Sequence, residues 1–334
     1  MSEFAISTVD PQLGLRYRGR DVRELIPSTP YERVWGLLVD GHPDGALPGA
    51  EPFPLPVRTG DDRVDMQSAL AQLAPIWGFR PIVDVTSARL RDDLARASVM
   101  AISFLAQSVR GEEIPAIPQR EVNTAGGIAQ RFVMRWRGEV DPNEAAAINS
   151  CWVALAEHGF SPSTRAARLI ASTGADAAAC LSGALAAASG PRGGGAAARS
   201  LALLTETEET GDADGVVSRA LANGGLYGFD EDDYLGEDPR VSGMRAVAEE
   251  LRIPRLEAAL ALSRAGHKLL TERTQTQRPG YGSNAMFWAA VLFDYARVPP
   301  RTLTAMFACG RAAGWSAHIA EAHQEVAEAH QELE

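Results

Sequence analysis

From about Val64 onward, apolar residues recur at spacings of three and four. The stretches Met66 to Ala74, Leu90 to Arg110, Gly126 to Trp136, Glu144 to His158 and Ser163 to Ser189 each carry an apolar face at helical period. The same period returns in Asp214 to Asn223, Val241 to Leu251, Arg255 to Thr271, Ala285 to Tyr295 and Pro300 to Trp315. Asp141-Pro142-Asn143-Glu144 and Ser161-Pro162-Ser163 are helix starts, a capping side chain followed by proline in the first turn. After residue 30 no run alternates as a strand does. The pattern predicts an all-α protein of roughly fifteen helices.

The N-terminal part reads differently. Leu15-Arg16-Tyr17-Arg18-Gly19-Arg20 predicts a short hairpin turning near Gly19, and Asp21 caps a short helix carrying Val22, Leu25 and Ile26. Thr29-Pro30-Tyr31-Glu32 starts a helix that presents Val34, Trp35, Leu38 and Val39 on one face and ends at Gly41. Residues 42 to 62 hold five prolines and little periodicity, as an extended surface connection does. At the other end, Ile319, Val326 and Leu333 stand seven apart with Ala322 and Ala329 between them, a short heptad seam. Such a seam pairs with another chain or lies on its own domain. His323 and His330 share one stripe, but a spacing of seven is not that of a metal pair.

One loop stands out. The Ala-rich run from Ala166 to Ser189 reads as a buried helix, and Gly190-Pro191 stops it. Gly193-Gly194-Gly195 follow, a backbone able to take positive φ and to approach a ligand closely. The loop is either a connector between packed helices or part of a site.

Composition narrows the function. The chain of 334 residues is 46% hydrophobic and 22% charged, an ordinary globular balance. Its net charge of −11 opposes a general nucleic-acid or anionic-membrane surface. Of the 32 basic residues only Lys268 is a lysine, and its helical context predicts a solvated side chain. Cys151, Cys180 and Cys309 are far apart in apolar surroundings, which predicts core thiols rather than a disulfide framework or a zinc site. No basic leader and no apolar run of membrane length occur, so a cytoplasmic protein is expected.

Several motifs, in order, resemble the citrate synthase family, particularly its shorter actinobacterial type. Leu-Arg-Tyr-Arg-Gly at residues 15–19 is similar to the family's opening hairpin, and Ala156-Glu157-His158, Ser163-Thr164 and Ala171-Ser172-Thr173-Gly174-Ala175-Asp176 to its core run. The loop at Gly190 resembles G-P-L-H-G-G-A, and Gly228-Phe229 through Asp238-Pro239-Arg240 resembles G-F-G-H-R-V-Y-K-x-x-D-P-R. Ser283-Asn284-Ala285-Met286-Phe287-Trp288 is similar to x-N-V-D/E-F-W/Y, and Gly310-Arg311 through Gly314-Trp315-Ser316-Ala317-His318 to the last core helix. The resemblance spans about Leu15 to His318. It implies a helical dimer with a large domain at 1–196 and 290–334, a small domain at 197–289, and a site in the cleft between them.

The same resemblance implies a chemistry and then removes its tools. In the family a carboxylate takes a proton from the acetyl group of acetyl-CoA, a loop histidine stabilises the enol, and a second histidine polarises the oxaloacetate carbonyl. Here those three positions are Met286, Gly193 and Glu231. Asp230-Glu231-Asp232-Asp233 and Leu235 replace Gly-His-Arg-Val and lysine, putting negative charge where a polyphosphate such as CoA would lie. The family's late Arg-Pro segment, whose arginine reaches the partner's site, has no counterpart. Three oxaloacetate positions remain, His158, Arg240 and Arg311, a set suited to two carboxylates and a further polar group. The same residues could instead be buried ion-pair partners and a core histidine.

Three readings follow. The leading one is a citrate-synthase-fold protein without citrate synthase activity, a binding or partner subunit that forms a homodimer or a heterodimer with an intact relative and holds a small dicarboxylate such as oxaloacetate. No cofactor and no metal are expected. The second is an enzyme of altered chemistry that uses Glu231 and its acidic neighbours as base or as ligands for Mg²⁺ or Ca²⁺. The third is the family's acyltransferase itself, acetyl-CoA and oxaloacetate to citrate, with Asp294 or His318 replacing the lost groups.

Overall fold

The computed structural model describes residues 5–45, 47–229, 233–274 and 282–331, with side chains except at Thr274 and residues 327–331. The chain opens on an antiparallel meander, β1 (Ser7–Asp10), β2 (Gly14–Tyr17) and β3 (Arg20–Asp21). Arg18 and Gly19 both have positive φ, as a two-residue turn between right-twisted strands requires. The expected turn at Gly19 is therefore present. The added strand β1 pairs Ser7 with Tyr17 and Asp10 with Gly14, and the poor alternation before residue 14 did not announce it.

Helices follow. Asp21 caps α1 (Val22–Leu25), and α2 (Tyr31–Asp40) ends on left-handed Gly41. After the irregular connection come α3 (Asp62–Ala71), α4 (Leu73–Trp77), the long α5 (Ser87–Arg110), α6 (Gln119–Val122), α7 (Ile128–Arg137) and α8 (Pro142–Leu155). Then come α9 (Pro162–Ser172), α10 (Ala177–Ala188), α11 (Ala196–Thr210), α12 (Ala213–Ala222), α13 (Pro239–Glu250), α14 (Leu256–Thr274), α15 (Ala285–Tyr295) and α16 (Leu303–Gln331). The fold is all-α beyond the meander, as expected. The expected domain division falls in the first turn of α11 and inside α15.

Three expectations change. The apolar run from Ser163 to Ser189 is two helices: Gly174 takes φ 83° and Asp176 caps α10 through the amides of Ala178 and Ala179. Period alone misses the break because both helices of the resulting hairpin show buried alanines. A strand-like contact does occur late in the chain, an isolated antiparallel bridge between Phe229 and Ser283. Finally, the C-terminal seam does not stand apart: it continues the last core helix within α16. Ile319 and Ala322 are buried against the chain's own core, Arg168 on α9 pairs with Glu321 and Glu325, and His323 donates to the Val85 carbonyl. Leu333 lies outside the described residues, as do the side chains of Ala329 and His330.

α16 packs against α2, α5, α8, α9 and α10. Its crossing with α8 is a backbone contact. A Cβ on Gly310 would sit 3.0 Å from Trp152 Cα, and one on Gly314 would sit 2.5 Å from the Ala156 carbonyl and 2.1 Å from Glu157 Oε2. The Gly314 amide donates to that carbonyl at 3.0 Å. From the other side, the buried Tyr17 hydroxyl lies 3.1–3.2 Å from the carbonyls of Val153, Ala154 and Glu157 and closes the same helix end. The three cysteines are buried free thiols, and Lys268 is exposed and paired with Asp214. No helix among the described residues is long and apolar enough to cross a membrane.

Gly314→Ala is expected to cost about 1–3 kcal/mol by overpacking against backbone that cannot move aside. Gly49→Ala, with nothing within 4 Å, serves as the control. Urea unfolding of both variants checks this, and equal midpoints would contradict the crossing.

Candidate functional site

A cavity of about 1190 Å³ opens between the end of α8, the α10–α11 loop, the start of α15 and the first turns of α16. His158, Arg240, Arg311, Gly193 and Met286 all line it. Five of the six positions singled out in the sequence thus meet in one place. Glu231 lies outside the described residues, while Phe229 and Asp233 on either side of it line the cavity too.

Each retained side chain is held by its own element. Asp238 caps α13 through the Arg240 amide and accepts from the Ala285 amide at the start of α15. Its carboxylate also takes Arg240 side-on in two bonds, Nε to Oδ1 at 2.9 Å and Nη2 to Oδ2 at 2.8 Å. Burial works to raise the Asp238 pKa, but the Arg240 charge and its hydrogen bonds, with help from His158, hold it below the ordinary carboxylate value. Arg311, 3% exposed, donates Nε to the Leu155 carbonyl at 2.6 Å and Nη1 to Ser161 Oγ at 3.2 Å, and lies 5.0 Å from the Phe307 ring centre.

His158 follows the end of α8. Its Nε2 is 2.8 Å from the Tyr234 hydroxyl, and Nδ1 is 3.8 Å from Asp233 Oδ2. Burial first, and then the positive charge of Arg240, push this imidazole well below its ordinary pKa; Arg311 adds to the effect and Asp238 opposes it. The ring is neutral at pH 7 and donates one N–H.

Gly193 and Met286 bring no proton chemistry. Met286 sits half-buried in the first turn of α15, its amide bonded to the capping Asn284 side chain. None of Gly190, Gly193, Gly194 and Gly195 has positive φ, contrary to the expectation for this loop. Glycine serves close approach instead. The amides of Gly193 and Gly194 donate to Gly190 and Ala188 carbonyls, a Cβ on Gly193 would come 2.9 Å from the Ala188 oxygen, and one on Gly194 would come 2.8 Å from the Phe307 ring. Neither proposed replacement lines the cavity. Asp294 pairs with Arg255, and His318 lies behind the cleft against Glu157.

Polar residues on the cavity wall to which the sequence reading gave no role include Ser7, Arg165 and Arg192. Arg192 carried a signal, being the only charge in the glycine loop. Ser7 and Arg165 carried none, because the meander and the first turn of α9 reach the cleft only through the fold. Among the described residues no group of three or more histidine, cysteine, aspartate or glutamate side chains could hold a metal ion.

Comparison with known proteins agrees with this architecture. The family profile described as "Citrate synthase, C-terminal domain" matches residues 1–329. The protein of Mycobacterium tuberculosis named "Putative citrate synthase 2" is 52% identical over 309 residues, covering 92% of this chain and 82% of the relative. The citrate synthase of Synechocystis is 27% identical over 347 residues, 95% of this chain and 83% of its own. Among solved structures, citrate synthase from Thermoplasma acidophilum, in ternary complex with carboxymethyl coenzyme A and oxaloacetate, aligns with TM-score 0.75 at 22% identity, covering 94% of this chain and 88% of that one. Citrate synthase from Thermotoga maritima aligns with TM-score 0.70 at 24% identity over 96% and 88%. At these identities the structural likeness is one of fold.

The His158 pKa has a consequence for stability. As pH falls through about 6.5 the unfolded chain protonates this ring and the folded protein does not, so its contribution is present above about 6.5 and is lost below it, at up to about 1.4 kcal/mol per pH unit. Denaturant unfolding of wild type and His158→Gln between about pH 5 and 7.5 should give stability curves that converge on the acid side. Parallel curves would mean that the ring takes up its proton in the folded state as well.

Proposed function

The chain belongs to the citrate synthase family, and from that premise we propose that it binds a small dicarboxylate in the cleft without carrying out the family's condensation. One observation carries this reading. His158, Arg240 and Arg311 line the same cavity as Gly193 and Met286, which supports a ligand-holding set beside two positions that carry no acid–base group. Two arginines bind two carboxylates by charge-assisted bonds, and a neutral histidine adds one donor. The solved relative that contains oxaloacetate supports the choice of a four-carbon dicarboxylate. Abstraction of a proton from an acyl thioester needs a base, and glycine and methionine are not bases; losing one stabilising group costs about 10²–10³ in rate.

The partner is a second copy of the chain or an intact relative. α10 carries no charged residue, and its exposed positions, Ala186 and Ala187, are small. Beside them the large apolar side chains of Leu169, Val83 and Ile76 are exposed, Leu169 by 68%. A helix apolar all round belongs in an interior, and a second subunit supplies one.

The altered-chemistry reading draws support from a single feature. Asp233, the described end of the acidic run, lies 3.8 Å from His158 Nδ1, and the Tyr234 hydroxyl lies 2.8 Å from Nε2, so a carboxylate and a phenol stand beside one imidazole.

Purified protein given acetyl-CoA and oxaloacetate is expected to release no CoA thiol above the blank. Calorimetry should detect oxaloacetate, with Arg311→Gln weakening it about 10- to 100-fold, the range for a hydrogen-bonded charge. Turnover by the protein alone would overturn the proposal, and turnover abolished by Asp233→Asn would favour the altered-chemistry reading. For the partner, Leu169→Glu should convert a dimer to a monomer in light scattering after size exclusion; an unchanged mass would move the interface elsewhere.

A further inference from the structure

A second site lies away from the cleft, where α7 packs against α5 and α6. Arg131 and Arg135 are one helical turn apart and so share a face, where like charges repel. Arg135 is buried, and its one hydrogen-bond partner is the neutral side-chain oxygen of Gln119 on α6. Arg131 donates Nε to the Ala125 carbonyl. Among the described residues no carboxylate pairs with either. Burial holds the Arg135 guanidinium below its ordinary pKa, with no neighbouring carboxylate to oppose that shift.

Both arginines line a cavity of about 20 Å³, walled on the α5 side by Val99, Ile102 and Ser103. That volume holds one small occupant. Ser103 Oγ accepts from Gln107 Nε2, and its own proton has no protein acceptor among the described residues. Ala50, Val122, Ile128 and Phe132 complete a mostly apolar lining, in which the two arginines supply more donors and positive charge than Gln119 and Ser103 can match as acceptors. A buried charge without a partner is costly, and a water molecule, which must also donate, fits such a lining less well than an anion does.

We propose that α7 holds a small inorganic anion of halide size between Arg131 and Arg135, joining α7 to α5 and α6. Phosphate and sulfate are too large for the cavity. The anion neutralises the repulsion between the two guanidinium groups, so its binding adds to stability by mass action.

The test uses bromide, which scatters anomalously, in place of chloride. Crystals in sodium bromide should show an anomalous peak between the two arginines. Wild type in sodium chloride should unfold a few degrees above wild type in sodium gluconate of equal ionic strength, saturating with concentration, and Arg135→Met should lose the difference. If Arg135→Met does not fold, Arg131→Met carries the comparison. An ordered water in place of bromide, or unfolding temperatures equal in the two salts, would overturn the proposal. Bromide density with no halide-specific rise would overturn it as well, since that marks binding at crystal concentration only.

Discussion

The crossing of α16 over the end of α8 governs the rest of the molecule. Two glycines one turn apart, Gly310 and Gly314, clear the side chains from between the helices, and the amide of Gly314 reaches the carbonyl of Ala156. Interiors are packed like crystals, so a contact made of backbone has no slack to give. Arg311, lying between the two glycines, is thereby held against Leu155, and His158 emerges from the same helix end. Tyr17 closes that end from the meander. Two groups of the cleft thus inherit their position from one contact.

Burial and charge in the cleft both oppose a proton on His158. Arg240 is paired with Asp238, whose carboxylate also serves two helix starts, and Arg311 donates to the Leu155 carbonyl and to Ser161. Arg165 and Arg192 add positive charge at the exposed wall, against Asp233. This field and burial together keep His158 neutral, able to donate a hydrogen bond and reluctant to take a proton.

The loop between α10 and α11 is packed tightly around its glycines. The Ala188 carbonyl lies 2.9 Å from a Cβ built on Gly193, and the Phe307 ring covers Gly194. Any larger residue at Gly193 would require the backbone to move.

Much of this was legible in the chain itself. Helical period, capping aspartates and prolines marked most of the helices, and ordered motifs from Leu15 to His318 identified the family, which the profile match and the mycobacterial relative bear out. Local rules sufficed because caps and periods act within one turn of helix. They failed where the deciding neighbour is remote in sequence. The burial of Ile319 and Ala322 against the chain's own core depends on packing that no window contains, whereas the break at Gly174 and the strand β1 have local causes, a left-handed glycine before the Asp176 cap and pairing with the adjacent β2, that helical period alone does not report. The same holds for the site. Residue types named His158, Arg240 and Arg311, but Ser7 and Arg165 join the cleft, and Arg131 and Arg135 face a shared cavity without a carboxylate, only because helices distant in the chain pack together. Residue identity and local period are properties of the sequence; convergence and unpaired charge are properties of packing, and only the tertiary structure decides them.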